Sequence, residues 1–198
     1  MKKKIIITGG LGYIGSELCK IYSGVSWKHK IVVLDNRFIS ERVNQLRNWN
    51  IEFIHGNILD KILVEKLFKD ADIVHHLAGI TDVPRVKSDA SEIQDKKIHE
   101  VGEKGTQNIL DAINNKCKII FPSTHVVYEG IKDVKIDIQE EEQTKPVLSY
   151  AVSKDINEKQ LKNSGKKYVI LRLGSVYGYS SGTMRVDIMP NLFSKIAS

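Results

Sequence analysis

A glycine run placed directly after a short apolar stretch is the feature that most constrains this 198-residue chain. The apolar stretch is residues 5–7, and the run that follows reads TGGLGYIG over residues 8–15. Glycines at this spacing allow a tight turn, a close backbone approach to a pyrophosphate and close packing of the next helix. The run therefore predicts a strand, a turn and a helix that together bind a dinucleotide. The turn glycines are Gly9, Gly12 and Gly15, and the phosphate is expected on the helix-start amides of Tyr13 and Ile14.

The next apolar run ends in an acidic residue at the spacing that such a turn requires. Asp35 lies about 20 residues after Gly15, where a carboxylate accepts both hydroxyls of the adenosine ribose and repels a 2′-phosphate. NAD is therefore favoured over NADP, although the positive charge of Arg37 keeps NADP open. For the glycine run alone, the alternative is an ordinary loop turn.

Short runs rich in β-branched residues alternate with helical patterns along the chain. The runs are continuously apolar, which is typical of strands that are buried on both faces of a parallel sheet. We therefore expect an α/β fold, a doubly wound parallel sheet with helices on both faces. The predicted strands are Lys4–Thr8, Lys30–Asp35, Ile51–His55, Ile73–Ala78, Lys118–Pro122 and Tyr168–Leu173.

Composition argues against several classes of protein. The chain is 41% hydrophobic but has no apolar span of membrane length, so we expect a cytoplasmic protein without a membrane partner. The net charge is +6, but the lysines are scattered along the sequence without interleaved aromatic residues. We therefore expect an anionic small substrate rather than nucleic acid. Cys19 and Cys117 lack metal-ligand spacing and are expected to be free thiols.

Two further strand ends are expected in the crevice outside the carboxyl ends of the sheet, where ligands bind. Asn57 and Ile58 follow the third strand and offer an amide near the adenine. The small residues that follow the fourth strand are expected under the pyrophosphate and ribose. The alternative for each is an ordinary turn from strand to loop. The residues after the fourth strand are Leu77, Ala78 and Gly79.

A tyrosine and a lysine four residues apart provide the candidate chemistry. Tyr150 and Lys154 lie on one face of a predicted helix, where the ammonium favours the ionised phenol. Tyr150 then serves as a base, and Lys154 also holds the nicotinamide ribose. Ser123 and Thr124 follow the fifth strand, and one of their hydroxyls is expected to share the substrate proton. A chance pair on an exposed helix is the alternative.

The histidines do not suggest a metal site, because their spacing would not ligate a metal. His75 and His76 end a buried strand pattern and are expected to be hydrogen-bonded core residues. His125 follows Thr124 and is a candidate acid, but its apolar neighbours indicate a packed turn. No metal is therefore predicted.

Together these residues resemble the extended short-chain dehydrogenase/reductase superfamily, in particular its NAD-dependent epimerase/dehydratase family, which acts on nucleotide-sugars. The resemblance implies a Rossmann domain over residues 1–178 with tightly held NAD, and it places Asn36, next to Asp35, among the cofactor-binding residues. It also implies Tyr150 as base, Lys154 as its partner and Thr124 as the hydroxyl that bridges to the substrate. The matching segments are residues 8–15, Asp35 with Asn36, 77–79, Ser123 and Thr124 with 127–128, 150–154 and 171–178.

The chain departs from the family pattern at several positions. Dehydratases of this family carry an acidic pair directly after the threonine, where this chain has His125 and Val126, so dehydration is disfavoured. Asparagine is frequent in the family where Gly102 and Ser175 stand.

The family's C-terminal substrate domain is expected to be largely missing. Residues 179–198 would then form only the start of the substrate-binding region. Thr124, Ser175 and Asn191 are the residues expected to touch a substrate.

The resemblance implies a nucleotide-sugar epimerase. Tyr150 would take the proton of a sugar hydroxyl, commonly the 4-hydroxyl, while hydride passes to NAD; the keto-sugar would turn over and take the hydride back on its other face. A reductase or dehydrogenase with net turnover of NAD(P)H is an alternative, and a non-catalytic NAD-binding sensor or scaffold is another. Family members commonly form homodimers through two long helices, here about residues 89–114 and 149–163.

Overall fold

One parallel sheet organises the part of the chain that the structure, a computed structural model, describes: residues 2–81, 92–180 and 188–197. The strand order is β3-β2-β1-β4-β5-β6, so the direction of winding reverses between β1 and β4. This is the doubly wound Rossmann order, as predicted, and ligands bind such sheets at the reversal point. The strands are β1 Lys4–Thr8, β2 Lys30–Asp35, β3 Glu52–His55, β4 Ile73–His76, β5 Lys118–Thr124 and β6 Lys167–Leu173.

β1 and β2 have the predicted bounds, and the bounds of the other four strands differ from the predicted ones by one or two residues. The predicted fourth strand is two residues too long, because the amides of Leu77 and Ala78 leave the ladder and bond to Thr8. β5 continues to Thr124 because its last residues pair in register with β6, up to Leu173.

Helices connect the strands and lie on both faces of the sheet. α3 begins after Asp60, whose carboxylate accepts a hydrogen bond from the Leu63 amide at 3.1 Å. A π-helix, Glu100–Lys104, joins α4 to α5, and a short 3₁₀ turn, His125–Tyr128, follows β5. The α-helices are α1 Tyr13–Ser23, α2 Ser40–Asn48, α3 Lys61–Phe68, α4 Glu92–His99, α5 Gly105–Ala112, α6 Ser149–Asn163 and α7 Met189–Ala197.

Two apolar layers form the core, one on each face of the sheet. Side chains alternate between faces along a strand, so neighbouring residues of β1 and β2 enter different layers. The first layer packs under α1 and α2, and the second packs under α3, α5 and α6. The first includes Ile5, Ile7, Ile31, Val33, Cys19, Val43 and Leu46; the second includes Ile6, Val32, Val74, Ile119, Phe121, Phe68, Ile109 and Leu161.

Cys19 and Cys117 are buried free thiols, as predicted. Burial raises the pKa of Cys19 to about 12, and the nearby Asp35 carboxylate acts in the same direction. Among the described residues, no group of histidine, cysteine or acidic side chains is arranged to hold a metal ion. No helix within the described ranges has the length and apolar character needed to cross a bilayer.

Candidate functional site

The turn between β1 and α1 is built from glycines that leave no room for side chains. Gly9 has a φ of +68°, and a Cβ there would lie 2.8 Å from the backbone nitrogen of Ala78. At Gly15 a Cβ would lie 2.3 Å from the Gly9 carbonyl oxygen, and at Gly12 it would lie 3.1 Å from that oxygen. The turn therefore packs against the end of β4, and α1 packs against the turn.

The start of α1 suits an anion. Within the described chain, no side chain caps this helix, and no acidic residue stands in its first turn. The first amides of a helix lack intrahelical partners and lie at its positive end. The arrangement fits a pyrophosphate at Tyr13 and Ile14, as the glycine spacing predicts.

Asp35 lies buried at the carboxyl end of β2, beside the glycine turn. One carboxylate oxygen accepts from the Leu11 amide at 2.9 Å, and the other accepts from the Arg37 amide at 3.0 Å. The Arg37 guanidinium also lies 3.6 Å from this carboxylate. A carboxylate has about four lone-pair sites, so the two amide bonds leave capacity for ribose hydroxyls. Asp35 thus holds the glycine turn, and its contact with the ribose hydroxyls stays a prediction.

The predicted adenine contacts have structural partners of their own. The Asn57 side-chain oxygen accepts from the Leu59 amide at 3.0 Å, and the Asn36 carbonyl lies 3.0 Å from a ring nitrogen of His55. Ile58 is buried, and its side chain fills the space beside Gly105 at the start of α5. Cofactor binding by Asn36, Asn57 and Ile58 stays a prediction.

A buried histidine connects the reversal point of the sheet to α5. Thr8 Oγ1 accepts from the Ala78 amide and lies 3.0 Å from Nδ1 of His76, whose Nε2 lies 3.0 Å from Thr106 Oγ1. Burial lowers the pKa of His76 to about 3, so the ring is neutral and donates through one nitrogen only. The hydrogen-bonded core role predicted for this residue is confirmed, and for His75 as well, since Tyr22 lies 2.7 Å from its Nε2.

The segment after β4 provides small residues beside the glycine turn. Leu77 and Ala78 are anchored there by their hydrogen bonds to Thr8. The next residue, Gly79, has open space where a Cβ would stand. The structure therefore places the predicted small residues next to Gly9, and their contact with the pyrophosphate and ribose stays a prediction.

Tyr150 and Lys154 share one face of α6, as their spacing predicts. The Lys154 ammonium lies 5.9 Å from the centre of the Tyr150 ring and 4.4 Å from the centre of the Phe121 ring. It donates to the Pro122 carbonyl at 2.8 Å, which ties it to β5. Burial lowers the pKa of Lys154 to about 8, and the Glu158 carboxylate opposes this shift. The ammonium is therefore still largely charged at neutral pH.

The two predicted hydroxyls at the end of β5 have different surroundings. Ser123 is buried and donates to a Glu158 oxygen at 2.6 Å. Thr124 is the last residue of the strand, and its Oγ1 accepts from the Val126 amide at 3.3 Å. Successive strand residues point to opposite faces. Thr124 is therefore the better placed of the two to meet a ligand at the carboxyl end of the sheet.

Sequence reasoning missed an ion pair that supports this half of the site. Glu158 is buried one turn after Lys154, and its two oxygens accept from Arg172 at 3.0 and 2.6 Å. Arg172 also donates to the Tyr128 hydroxyl. We call Ser123, Glu158 and Arg172 the polar clamp, because they join β5, α6 and β6. The available signal was a glutamate four residues after the lysine, which places both on one helix face.

Comparison with known proteins agrees with this geometry. The sequence model of the NAD dependent epimerase/dehydratase family matches residues 5–198. The chain belongs to this family. A dTDP-D-glucose 4,6-dehydratase from Dictyostelium discoideum is 34% identical, and the match covers 89% of this chain and 44% of that protein. A putative UDP-glucose 4-epimerase from Methanocaldococcus jannaschii is 31% identical, with 88% and 56% covered. The chain therefore spans about half the length of these curated relatives.

Solved structures share the fold. UDP-glucuronic acid 4-epimerase from Bacillus cereus, in complex with UDP-glucuronic acid and NAD, is 28% identical with a TM-score of 0.74, covering 95% of this chain and 60% of that chain. The Bordetella bronchiseptica enzyme WbmH, in complex with NAD⁺, is 27% identical with a TM-score of 0.78, covering 100% and 63%. The glycine turn and Asp35 fit the cofactor of the epimerase/dehydratase family. The prediction of NAD is confirmed.

One departure from the family pattern has a steric reason. A Cβ at Gly102, in the π-helix, would lie 2.3 Å from Ser153 Oγ on α6. The Gly102 carbonyl accepts from the Asn157 side chain at 3.1 Å. A side chain at position 102 would therefore require the Ser153 hydroxyl or α6 to move.

The predicted substrate residues near the end of the chain lie in different environments. Ser175 is exposed beyond β6. Asn191 is buried; its side-chain oxygen accepts from the Gly178 amide at 2.9 Å, and its nitrogen donates to the Tyr13 hydroxyl at 3.4 Å. Asn191 thus links α7 to the start of α1. Substrate binding by Ser175 and Asn191 stays a prediction, and residues 181–187 and 198 of the predicted region 179–198 lie outside the described residues.

Proposed function

We propose that this chain carries the cofactor site and the proton-transfer residues of a nucleotide-sugar 4-epimerase. The observation that carries the proposal is the position of the Lys154 ammonium, which is held by Pro122 and lies 5.9 Å from the Tyr150 ring centre. The Lys154 ammonium is tied to β5 two residues before Thr124, and Tyr150 lies one helical turn before Lys154 on α6. A base, its cationic partner and a hydroxyl thus share one edge of the sheet with the glycine turn.

The chain's own residues would move the proton. Tyr150, as phenolate, takes the proton from the sugar 4-hydroxyl, and the Lys154 charge stabilises the phenolate before that transfer. The Thr124 hydroxyl bridges the sugar oxygen and the phenol. NAD held at the glycine turn and Asp35 would supply the hydride acceptor for the sugar carbon and the hydride donor for its other face. Tyr150 then gives its proton back to the sugar oxygen, so the epimer leaves with no net change in protonation.

The residues after Thr124 favour epimerisation over dehydration. Loss of a hydroxyl requires an acid for the leaving oxygen and a base for the carbon-bound proton. Val126 carries no titratable group, and a ring nitrogen of His125 lies 3.1 Å from the Leu173 carbonyl. The dehydratase from Dictyostelium discoideum shows that this chemistry occurs among the relatives. The solved UDP-glucuronic acid 4-epimerase supports the choice of carbon 4.

The test is turnover of UDP-glucose and UDP-glucuronic acid with NAD by a protein that joins this chain to a C-terminal substrate domain of the family, followed by proton NMR. We expect the 4-epimer as product. We also expect Tyr150→Phe to lower the rate by about a thousandfold or more, with NAD affinity within a factor of about two. Tyr168→Phe, at an exposed tyrosine of β6, is the matched control and should leave both unchanged.

The other outcomes distinguish the alternatives. A 4-keto-6-deoxy product would indicate a dehydratase, and stoichiometric accumulation of NADH would indicate a dehydrogenase. NAD binding without turnover of either sugar would favour the non-catalytic NAD-binding alternative. A wild-type rate for Tyr150→Phe would show that another group is the base.

We also propose a homodimer formed through α4, the π-helix, α5 and α6. In one protomer α6 lies along α4 and the π-helix, and the Gln160 side chain donates to the Glu103 carbonyl at 3.1 Å. Two such helical layers packed face to face would form a four-helix bundle. Residues 89–91 of the predicted interface lie outside the described residues. Light scattering should give twice the chain mass, and a monomer at high concentration would contradict the proposal.

A further inference from the structure

The parallel topology collects lysines that are scattered in the sequence. All strands of the sheet run in one direction, so their first residues meet at the edge opposite the candidate NAD site. Four of the six strands have lysines at their first residue or within the two residues before it. We call this group the lysine edge: Lys2, Lys3, Lys4, Lys28, Lys30, Lys116, Lys118, Lys166 and Lys167.

The lysine edge holds the excess positive charge of the molecule. Its nine lysines face three carboxylates, Glu52 and Asp72 at equivalent positions of the other two strands and Asp70 beside Lys4, whereas the whole chain has a net charge of +6. The rest of the chain is therefore close to neutral. Such a charge distribution makes the electrostatic potential most positive on one side of the molecule.

Most of these ammonium groups are not used to stabilise the fold. Lys30 pairs with Glu52, Lys4 pairs with Asp70, and Lys166 donates to the Ile113 carbonyl. The remaining six side chains are exposed, and within the described ranges none of them pairs with a carboxylate: Lys2, Lys3, Lys28, Lys116, Lys118 and Lys167.

The lysines also stand side by side, which costs stability. Lys4 is in register with Lys30, and Lys118 is in register with Lys167. Like charges on directly opposed strand residues are unfavourable. From β2 to β6 the row spans four strand spacings, about 19 Å. A broad anionic partner would relieve the repulsion along the whole row.

Two large apolar side chains lie at the same edge. Ile21, in the last turn of α1, is 73% exposed, and Trp27, in the loop that leads to β2, is 77% exposed. The Trp27 indole donates to the Gly24 carbonyl at 3.2 Å and is followed directly by Lys28. Tryptophan favours the boundary between water and lipid, where its ring is apolar and its N–H is polar.

We propose that the lysine edge, with Ile21 and Trp27, docks on a membrane leaflet that carries anionic lipid headgroups. Basic side chains near such a surface are attracted to it, and the interfacial tryptophan adds an apolar contact. The proposal replaces the expectation of no membrane partner, because the topology concentrates charges that the sequence spreads out. Docking in this orientation leaves the candidate NAD site facing water.

Sedimentation with vesicles tests the proposal directly. The protein should sediment with vesicles of about 30% phosphatidylserine in phosphatidylcholine and stay in solution with pure phosphatidylcholine. Binding should be lost in about 0.5 M NaCl, where charges are screened within a few ångströms. Tryptophan emission should shift to shorter wavelength on binding, and Trp27→Phe should lose that shift although Trp49 remains.

Two charge-reversal double variants distinguish an effect of the lysine edge from an effect of net charge. Lys116→Glu with Lys167→Glu should weaken vesicle binding at least about tenfold. The control is Lys132→Glu with Lys145→Glu. It changes the net charge by the same amount, but the two lysines lie after the carboxyl end of β5, and it should bind the vesicles like the wild type. Equal loss in both pairs, no sedimentation with either vesicle, or equal binding to both vesicles would overturn the proposal. So would tighter binding to a DNA duplex than to the anionic vesicles.

Discussion

Apolar layers line both halves of the sheet, but among the described residues only one half adds a buried ion pair. In the half that forms the candidate NAD site, five of the six residues of β2 are buried, and apolar side chains under α1 and α2 fix its position. In the half that carries the candidate proton-transfer residues, none of the seven described residues of β6 is fully buried. There the polar clamp of Ser123, Glu158 and Arg172 joins the elements.

The difference shows where each half is vulnerable. Apolar burial is spread over many contacts, so the cofactor half should tolerate most single changes except those that crowd the glycine turn. A buried ion pair is concentrated in two side chains, so removal of one leaves the other charged and unpaired. Four predictions follow this contrast, in order of decreasing effect.

Removal of Glu158 should have the largest effect. Glu158→Ala leaves the Arg172 guanidinium and the Ser123 hydroxyl without their carboxylate, and we expect the free energy of unfolding to fall by about 3–5 kcal/mol. Urea unfolding measures this loss. Loss of the negative charge should also lower the pKa of Lys154 further, because the Glu158 carboxylate now opposes the effect of burial.

Two controls sharpen this prediction. Glu65 pairs with Lys61 at 3.8 Å on the exposed face of α3, and Glu65→Ala should change stability by less than about 0.5 kcal/mol. Glu158→Leu combined with Arg172→Met should cost less than the sum of the two single changes, because no buried charge is left unpaired. Equal losses for Glu158→Ala and Glu65→Ala would mean that the clamp does not hold this half together.

Acid should lower the free energy of unfolding through His76, which lies at the boundary between the two halves of the sheet. The unfolded imidazole binds a proton near pH 6.5, whereas burial in the folded state lowers its pKa to about 3. The unfolded state therefore binds more protons between these values, and stability falls as the pH falls. The contribution approaches about 1.4 kcal/mol per pH unit and amounts to roughly 2 kcal/mol between pH 6.5 and 4.5, because only half of the unfolded imidazoles are protonated at pH 6.5.

A comparison of two variants isolates this contribution. His76→Gln should be less stable at pH 7 but should lose less stability than the wild type between pH 6.5 and 4.5. His55→Gln, at an exposed histidine, should lose as much as the wild type. If urea titrations showed the same loss of stability between pH 6.5 and 4.5 for all three proteins, His76 would not be the origin of the acid sensitivity.

Crowding of the glycine turn should be the next largest effect. In Gly15→Ala the new Cβ would lie 2.3 Å from the Gly9 carbonyl oxygen, so the turn or α1 must shift. We expect a loss of about 1–3 kcal/mol in stability and at least a tenfold weaker affinity for NAD, measured by calorimetry. Gly174→Ala, where a Cβ meets open space, is the matched control and should retain wild-type stability.

Most of the fold could be predicted because its signals are local. Buried parallel strands appear as continuous apolar runs, and the turn after β1 is marked by glycines whose steric roles are specific. The face shared by Tyr150 and Lys154 follows from helical spacing alone. These features depend on residues that are close together in the sequence.

The features that sequence reasoning missed depend on distant residues. Ser123, Glu158 and Arg172 come from three elements, and only the packed fold shows that they meet. The lysine edge needs the direction of every strand. Gly102 is explained only by the approach of α6 to the π-helix.

The smallest expected effect concerns the choice between NAD and NADP in the half that forms the candidate NAD site. Asp35→Asn keeps an oxygen that accepts from one amide but removes the charge that repels a 2′-phosphate. We expect NAD affinity to fall by about 1–2 kcal/mol, roughly five- to thirtyfold, and NADP affinity to change less, since Arg37 would no longer pair with a carboxylate. Calorimetry with both dinucleotides measures the difference between the NAD and NADP affinities. Asp60→Asn, which changes the net charge equally and still caps α3, should leave the preference for NAD intact. If the difference between the NAD and NADP affinities were unchanged in Asp35→Asn, Asp35 would only hold the glycine turn and would not select the cofactor.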